Sequence, residues 1–585
     1  MKKVDLKAKP FYLSENDIHW VEETIKNMTI EEKIGQLFIA MNRYPDQGQT
    51  FTEELVKKYH IGGVRYIPDS AENLYEANKR MQLNSKIPLL IAANCDSGGN
   101  GAINDKEGTL IATAAQCGAT SDTETSYNVG YVSGREATAI GCNWTYGPVS
   151  DIIFNWRNTI VNTRSYGNDT DTVIANCKSY TDGVHKSDMA VCVKHFPGDG
   201  VEERDQHLLL GINDLSCEDW DESFGRAYKE LIDYGIESIM VGHIALPEYS
   251  RKLRPGIKDT DIMPATLAPE LLQDLLRDKL EFNGLLMTDA SHMAGMTSAM
   301  RRKDQVPGAI AAGCDMFLYF NDVEEDFNYM MDGYKNGVIT EERLEDALRR
   351  ILGLKASLKL HEKQENNTLI PDKEGLKVIN CQEHKELAVK AAKKSITLVK
   401  DTEHNLPIKP ETHKNIKVYV VSSQPERMAQ GPDPVREVIR EELEAAGFNV
   451  DMHESFLDLE FKESKPENKF KAMICGKTEE FREKYDAVLM FINMKGYAQE
   501  NVVRLRWAMG HSNEIPWFVR EVPTVCISLN YTTHLIDVPM MKTFINAYAA
   551  TRAVIKETIN KIKGESEFLG KYNDTVFCDR WETRL

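Results

Sequence analysis

The chain has 585 residues, 42% of them hydrophobic and 28% charged, a globular composition too long for one ordinary domain. A formal net charge of −19 without any basic stripe argues against a nucleic-acid partner, which would need cations to neutralise phosphates. No run approaches the ~20 apolar residues of a membrane span, so no membrane partner is expected.

The N-terminus, Met1-Lys2-Lys3-Val4-Asp5-Leu6-Lys7, is basic but leads into no apolar segment, because Asp5, Glu15 and Asp17 interrupt it. The eleven cysteines are scattered without C-x-x-C pairs, and Cys192, Cys314 and Cys526 sit inside apolar runs. That pattern reads as free thiols in a reducing compartment, with no disulfide framework or zinc site, and a cytoplasmic location is expected. Ile61 to Ile67 is the first clear strand, followed by a helical pattern over Ser70 to Asn84. Pro88 to Ala93 and Asn143 to Ile152 carry the next strands, and Ala190 to His195, Ser238 to Ile244, Gly284 to Thr288 and Met316 to Tyr319 continue the series. Helices such as Glu222 to Tyr234 and Leu267 to Lys279 lie between them. Repeated β-then-α units predict an α/β fold with a parallel sheet, and over residues 1–356 a closed (β/α)8 barrel of the TIM type leads. An open doubly wound sheet would also gather strand ends, so periodicity alone leaves both. The polar stretch 357–382, with Pro371, reads as a linker. From 383 to 585 a second pattern follows. Strands are predicted at Ile416 to Val421, Asp486 to Ile492, Thr524 to Leu529 and Thr543 to Ala547, with helices at Val435 to Ala446 and Thr551 to Lys563, forming a three-layer α/β/α sandwich.

Polar residues recur just after the barrel strands: Asp96, Asp151, Lys194-His195, His243 and Asp289. A barrel puts all these ends on one face, where its active site forms. The densest cluster is Val191-Cys192-Val193-Lys194-His195-Phe196-Pro197-Gly198-Asp199-Gly200, followed by Asp205-Gln206-His207. An apolar strand here ends in a charged pair, and a glycine-rich loop carries an aspartate and a histidine two residues apart. A carboxylate that close orients an imidazole and raises its basicity, as proton transfer requires, although an isolated D-x-H more often belongs to a solvated loop. Asp289 closes the apolar run Gly284-Leu285-Leu286-Met287-Thr288. It reads either as a nucleophile at the barrel mouth or as the N-cap of the following helix.

The cluster resembles the K-H-F-P-G-H-G-x(4)-D-S-H signature of glycoside hydrolase family 3, in its β-N-acetylglucosaminidase branch. The resemblance runs along nearly the whole chain. Met28 to Leu37 is similar to the family's opening helix, Gly147-Pro148-Val149-Ser150-Asp151-Ile152 to its P-V-x-D-I, Arg164-Ser165-Tyr166-Gly167 to its R-S-F-G, and Ser395 to Lys400 to the start of its second domain. The resemblance implies that Asp289 is the nucleophile, His207 the acid and base, and Asp205 its orienting partner. It also implies that Lys194, His195 and Arg164 grip sugar hydroxyls. The loop glycines suggest mobility that brings His207 to the sugar. Two departures stand out. Asp199 replaces the second histidine of the signature. In Asn94-Cys95-Asp96-Ser97-Gly98-Gly99-Asn100-Gly101, where the branch shows D-Q-E-G-G-R-V, Cys95 falls at the place of the sugar-binding aspartate. Asp96 takes that place if the strand ends one residue later.

The function expected on this resemblance is an exo-acting, retaining β-N-acetylglucosaminidase. It would release terminal GlcNAc-type sugars from small oligosaccharides or cell-wall fragments through a glycosyl-Asp289 intermediate, with no metal and no organic cofactor. Three alternatives stand beside it. A β-glucosidase of the same family would draw its acid from the second domain, with Glu500 in Tyr497-Ala498-Gln499-Glu500 as the candidate. A phosphorylase would exploit a neutral histidine that does not repel phosphate. A non-catalytic sugar-binding protein on an inherited barrel is the third.

Overall fold

The structure is a computed structural model describing residues 3–42, 54–423, 433–454, 476–494, 500–505, 507 and 511–585. The chain forms two compact units, Met1–Ala114 with Thr123–Lys385, and Ala115–Asp122 with Glu386–Leu585.

In the first unit the strands are β1 (Phe38–Asn42), β2 (Gly63–Tyr66), β3 (Leu90–Ala93), β4 (Trp144–Thr145), β5 (Ala190–Phe196), β6 (Gly211–Ile212), β7 (Ser238–Val241), β8 (Ile244–Ala245), β9 (Leu285–Thr288) and β10 (Phe317–Leu318). Eight of them form one sheet in the order β10-β1-β2-β3-β4-β5-β7-β9, with every ladder parallel. A parallel bridge between Met287 and Met316, with Thr288 donating its N–H to the Met316 carbonyl at 3.0 Å, joins β9 to the β10 edge and closes the barrel. The open-sheet alternative is thereby removed. The strand series read from sequence is extended by one member, β1. It follows the helix Ile30–Gln36 with only Leu37 between, so its apolar run merges with the helix that precedes it.

β3, β4, β5, β7, β9 and β10 are buried along their length, all seven residues of β5 included. A strand covered on both faces needs apolar side chains at nearly every position, which is why Ala190 to Val193 reads as a continuous run. Helices start where local chemistry allows: Ser14 and Thr29 each complete a capping box, with Asp17 and Glu32, ahead of Glu15–Asn27 and Ile30–Gln36. At the N-terminal end of β9, buried Asp315 accepts from Arg277 at 2.9 Å and from Arg343, and takes the Leu286 N–H at 2.8 Å. This buried ion cluster secures the end of the barrel opposite Asp289. Within 357–382, residues Leu360–Glu365 form a short helix.

The second unit carries β11 (Thr397–Asp401), β12 (Asn415–Ser423), β13 (Asn449–Met452), β14 (Ala487–Met494), β15 (Thr524–Ser528) and β16 (Thr543–Asn546) in the order β11-β16-β15-β14-β12-β13. All pairs are parallel except β11 with β16. Helix Val435–Ala445 packs against β13 and against helix Arg552–Ile562, and a core including Val488, Met490, Phe518, Cys526, Leu535 and Phe544 fills the unit. Every described cysteine is free. Among the described residues no helix is long and apolar enough to cross a membrane.

Candidate active site

Because the barrel strands are parallel, their C-terminal ends deliver Asp96, Asp151, His195, His243 and Asp289 to one mouth. Asp289 follows β9 directly. Its N–H donates to the Val241 carbonyl at 2.8 Å, and its Oδ1 accepts the Ala290 N–H at 2.7 Å. Its Oδ2 lies 3.9 Å from Nε2 of His195. Burial opposes its ionisation, but the imidazoles of His195 and His207 and the Ala290 N–H outweigh it, so the carboxyl sits below its ordinary range. Asp289 is therefore a charged, pinned and only slightly exposed carboxylate, as a nucleophile must be.

His195 is set by Asp151, which is fully buried. The His195 N–H donates to Asp151 Oδ1 at 3.1 Å, and its Nδ1 lies 2.7 Å from Oδ2. With Nδ1–H committed there, Nε2 is the nitrogen turned toward Asp289. Sequence puts Asp151 at a strand end, and the pairing of neighbouring strands β4 and β5 sets it against His195, 44 residues along the chain. His243 is likewise buried, with Nδ1 3.0 Å from the Thr266 hydroxyl and Nε2 3.0 Å from the Ala290 carbonyl. Burial pulls it down to about 4, so it is a neutral ring bracing the residue after Asp289.

Lys194, Asp96 and Arg164 form one ionic group. Asp96 accepts from Arg164 Nε at 3.1 Å and Nη2 at 2.9 Å, and Lys194 Nζ stands 3.0 Å from its other oxygen. Burial resists the Asp96 charge, yet Lys194 and Arg164 hold it down to about 2. Lys194 is almost wholly buried and also reaches Asn94 Oδ1 at 3.4 Å. Cys95 is fully buried with its thiol pushed far above the ordinary range by desolvation, so it offers neither charge nor nucleophile. β3 ends at Ala93, and the carboxylate that reaches Arg164 and Lys194 is that of Asp96.

The loop after β5 carries the Asp205 and His207 pair. Asp205 Oδ1 accepts the His207 N–H at 2.8 Å and lies 2.6 Å from Nδ1, which fixes the ring's orientation and leaves Nε2 free of that contact. Burial opposes protonation of this ring. The hydrogen bond to Asp205 and the charges of Asp289 and Asp205 exceed that penalty, so His207 titrates above its ordinary value. The loop's glycines answer a packing need. Gly198 and Gly200 sit at φ 118° and 110°, and a Cβ on them would come within 2.1 Å of the Phe224 ring and 2.2 Å of the Ile152 carbonyl. Pairing of β6 with β8 anchors the far end of the loop. In the second unit, Glu500 is half-buried in a stretch without regular structure, and Tyr497-Ala498-Gln499 lie outside the described residues.

An ionised aspartate, a carboxylate-oriented histidine of raised basicity and a wall of fixed charges thus share one mouth. The arrangement suits nucleophilic displacement with proton transfer at a polyhydroxylated substrate.

The sequence profile described as "Glycosyl hydrolase family 3 N terminal domain" matches residues 29–354. The chain is 39% identical over 583 residues, all of both proteins, to a "Beta-N-acetylglucosaminidase/beta-glucosidase" of Cellulomonas fimi. Among solved structures it is similar to the "Beta-glucoside phosphorylase BglX", with a TM-score of 0.89 at 36% identity, covering 99% of each chain. A family 3 β-N-acetylglucosaminidase from Paenibacillus sp. str. FPU-7 shares the fold, with a TM-score of 0.77 at 21% identity over 93% of this chain and 98% of that one.

Proposed function

The chain belongs to glycosyl hydrolase family 3, whose members act on β-linked sugars, and from that premise we propose that it is an exo-acting, retaining β-N-acetylglucosaminidase. The observation that carries the proposal is the pairing, at one barrel mouth, of ionised Asp289 with a His207 held by Asp205 at 2.6 Å. In this reading Asp289 attacks the anomeric carbon while protonated His207 gives its Nε2 proton to the departing glycosidic oxygen. The neutral ring then takes a proton from the incoming acceptor as the glycosyl-Asp289 ester breaks. Asp96, Arg164, Lys194 and His195 orient the sugar through charged hydrogen bonds.

Sugar choice is the first test. A panel of aryl β-GlcNAc and β-glucosides should give kcat/KM at least roughly tenfold higher for GlcNAc, about 1.4 kcal/mol of differential transition-state binding. The dual name of the Cellulomonas fimi relative supports measurable turnover of glucosides as well. A preference for glucosides would reassign the branch and leave the mechanism standing. Phosphate as the acceptor is a second reading, favoured by a histidine in place of a second carboxylate and by the likeness to a β-glucoside phosphorylase. Running the same panel with inorganic phosphate separates the two: accumulation of sugar 1-phosphate at the expense of free sugar selects phosphorolysis.

The pH profile tests the acid. Since His207 titrates above its ordinary value of 6.5, kcat/KM should be sustained below that raised pKa and fall as pH rises through it. In Asp205→Asn the carboxylate that raises the pKa is lost while burial still lowers it, so the basic limb should move to lower pH. A limb that stays in place would mean that another group supplies the proton.

A further inference from the structure

Asp199 and Gln206 stand where the K-H-F-P-G-H-G-x(4)-D-S-H signature has histidine and serine, and in this chain the two departures touch one another. Both side chains are buried, and Gln206 donates from Nε2 to Asp199 Oδ2 across 3.4 Å, a long hydrogen bond. The orientation of the glutamine is fixed from its other side, because its Oε1 accepts the His243 N–H at 2.7 Å. Its NH2 group must then face Asp199, and only an acceptor can stand opposite. A serine side chain would be too short to reach both partners. Asp199 is held in turn. Its Oδ1 accepts from Asn158 Nδ2 at 2.9 Å and from the Gly200 N–H at 2.7 Å, and its own N–H donates to Asp151 Oδ1 at 2.9 Å.

Gln206 directly precedes His207, and the backbone of the pair is fastened too. The Gln206 carbonyl accepts the Gly295 N–H at 3.1 Å, and the His207 carbonyl accepts the Ala294 N–H at 2.9 Å. The residue before the acid is thus tied to three places: the turn after β5, the end of β7 and the segment after β9. We propose that Asp199 and Gln206 form a latch that positions the His207 loop for proton donation, a proposal that rests on the reading of His207 as the acid. Asp199 is a positioning residue here and touches no substrate. The arrangement carries a cost that a purely structural contact would avoid, since the charges of Asp151 and Asp205 both oppose ionisation of Asp199. Burial and the Asp151 charge push its carboxyl above the ordinary carboxylate range. Three converging donors hold it in place against that penalty.

The test is a polarity swap. Asp199→Asn sets two NH2 groups against each other, and Gln206→Glu sets two carboxyl groups together. In the double variant the introduced amide accepts from Asn158 and Gly200 and donates to the introduced carboxylate, whose second oxygen takes the His243 N–H. Gln206→Met, of similar length and without hydrogen bonds, serves as a neutral disruption if a charged variant misfolds. Each is measured for kcat/KM across glycosides of graded leaving-group pKa, beside His207→Ala, with thermal unfolding as a check on folding. Each single variant should lose about 30-fold on the poorest leaving group and no more than about threefold on the best, and the double variant should return to within about fivefold of the parent. A loss equal at every aglycone, or a double variant no better than the weaker single, overturns the latch. If His207→Ala shows the leaving-group dependence and the latch variants do not, the latch alone fails. If His207→Ala itself loses activity uniformly, both the acid assignment and the latch fall.

Discussion

Asp289→Asn should leave a folded protein whose turnover has fallen by on the order of 10⁴-fold. Asparagine keeps the shape and the Oδ1 that accepts the Ala290 N–H, and the backbone bond to Val241 is unaffected, so the change in stability should stay within about 1 kcal/mol. The variant loses the negative charge that the imidazoles of His195 and His207 stabilise and that attacks the anomeric carbon. Turnover by the purified variant and its unfolding midpoint check the two halves of this expectation. Activity within tenfold of the parent would remove Asp289 from the role of nucleophile. The loss should also hold for activated and unactivated aglycones alike, since both need the nucleophile to form the intermediate.

His207→Ala should behave differently, and the difference identifies the acid. Without the imidazole, substrates with poor leaving groups should lose on the order of 10²–10⁴-fold in kcat/KM, the usual worth of general acid catalysis. Aryl glycosides with the most acidic phenols depart with little proton assistance and should lose less than about tenfold. Asp205→Asn should give a weaker version of the same slope, because the ring remains but loses the 2.6 Å contact that orients it. Glu500→Gln should leave the slope unchanged. A leaving-group-dependent loss at Glu500 with none at His207 would assign the proton to the second unit and favour the β-glucosidase reading.

The legibility of this chain follows from how local each signal is. Seven barrel strands are readable as apolar runs, five of them followed by a polar residue, because a strand buried on both faces leaves no alternation to be confused with a helix. β1 is hidden by the helix that runs into it without a breaker. In the second unit β13 escapes for the opposite reason: it is a short edge strand with exposed or half-buried side chains and little apolar content. At the candidate site, the Asp205 and His207 pair is readable because two residues of one loop form it. The pairing of Asp151 with His195 requires β4 and β5 to be neighbours in the sheet, and no spacing rule connects them. The choice between Cys95 and Asp96 turns on where β3 ends, a one-residue matter that sequence patterns do not resolve. Asp199 is visible as a departure from a signature, and only coordinates join it to Gln206.

The account stands on a covalent sugar attached to Asp289. A 5-fluoro glycosyl fluoride of the preferred sugar slows both steps but keeps a good leaving group, so the intermediate accumulates and can be mapped in a proteolytic digest. The account predicts stoichiometric inactivation and one added glycosyl mass on the peptide containing Gly284-Leu285-Leu286-Met287-Thr288-Asp289, absent in Asp289→Asn. An adduct on a different carboxylate, or turnover that releases the inverted anomer with no adduct at all, would contradict it.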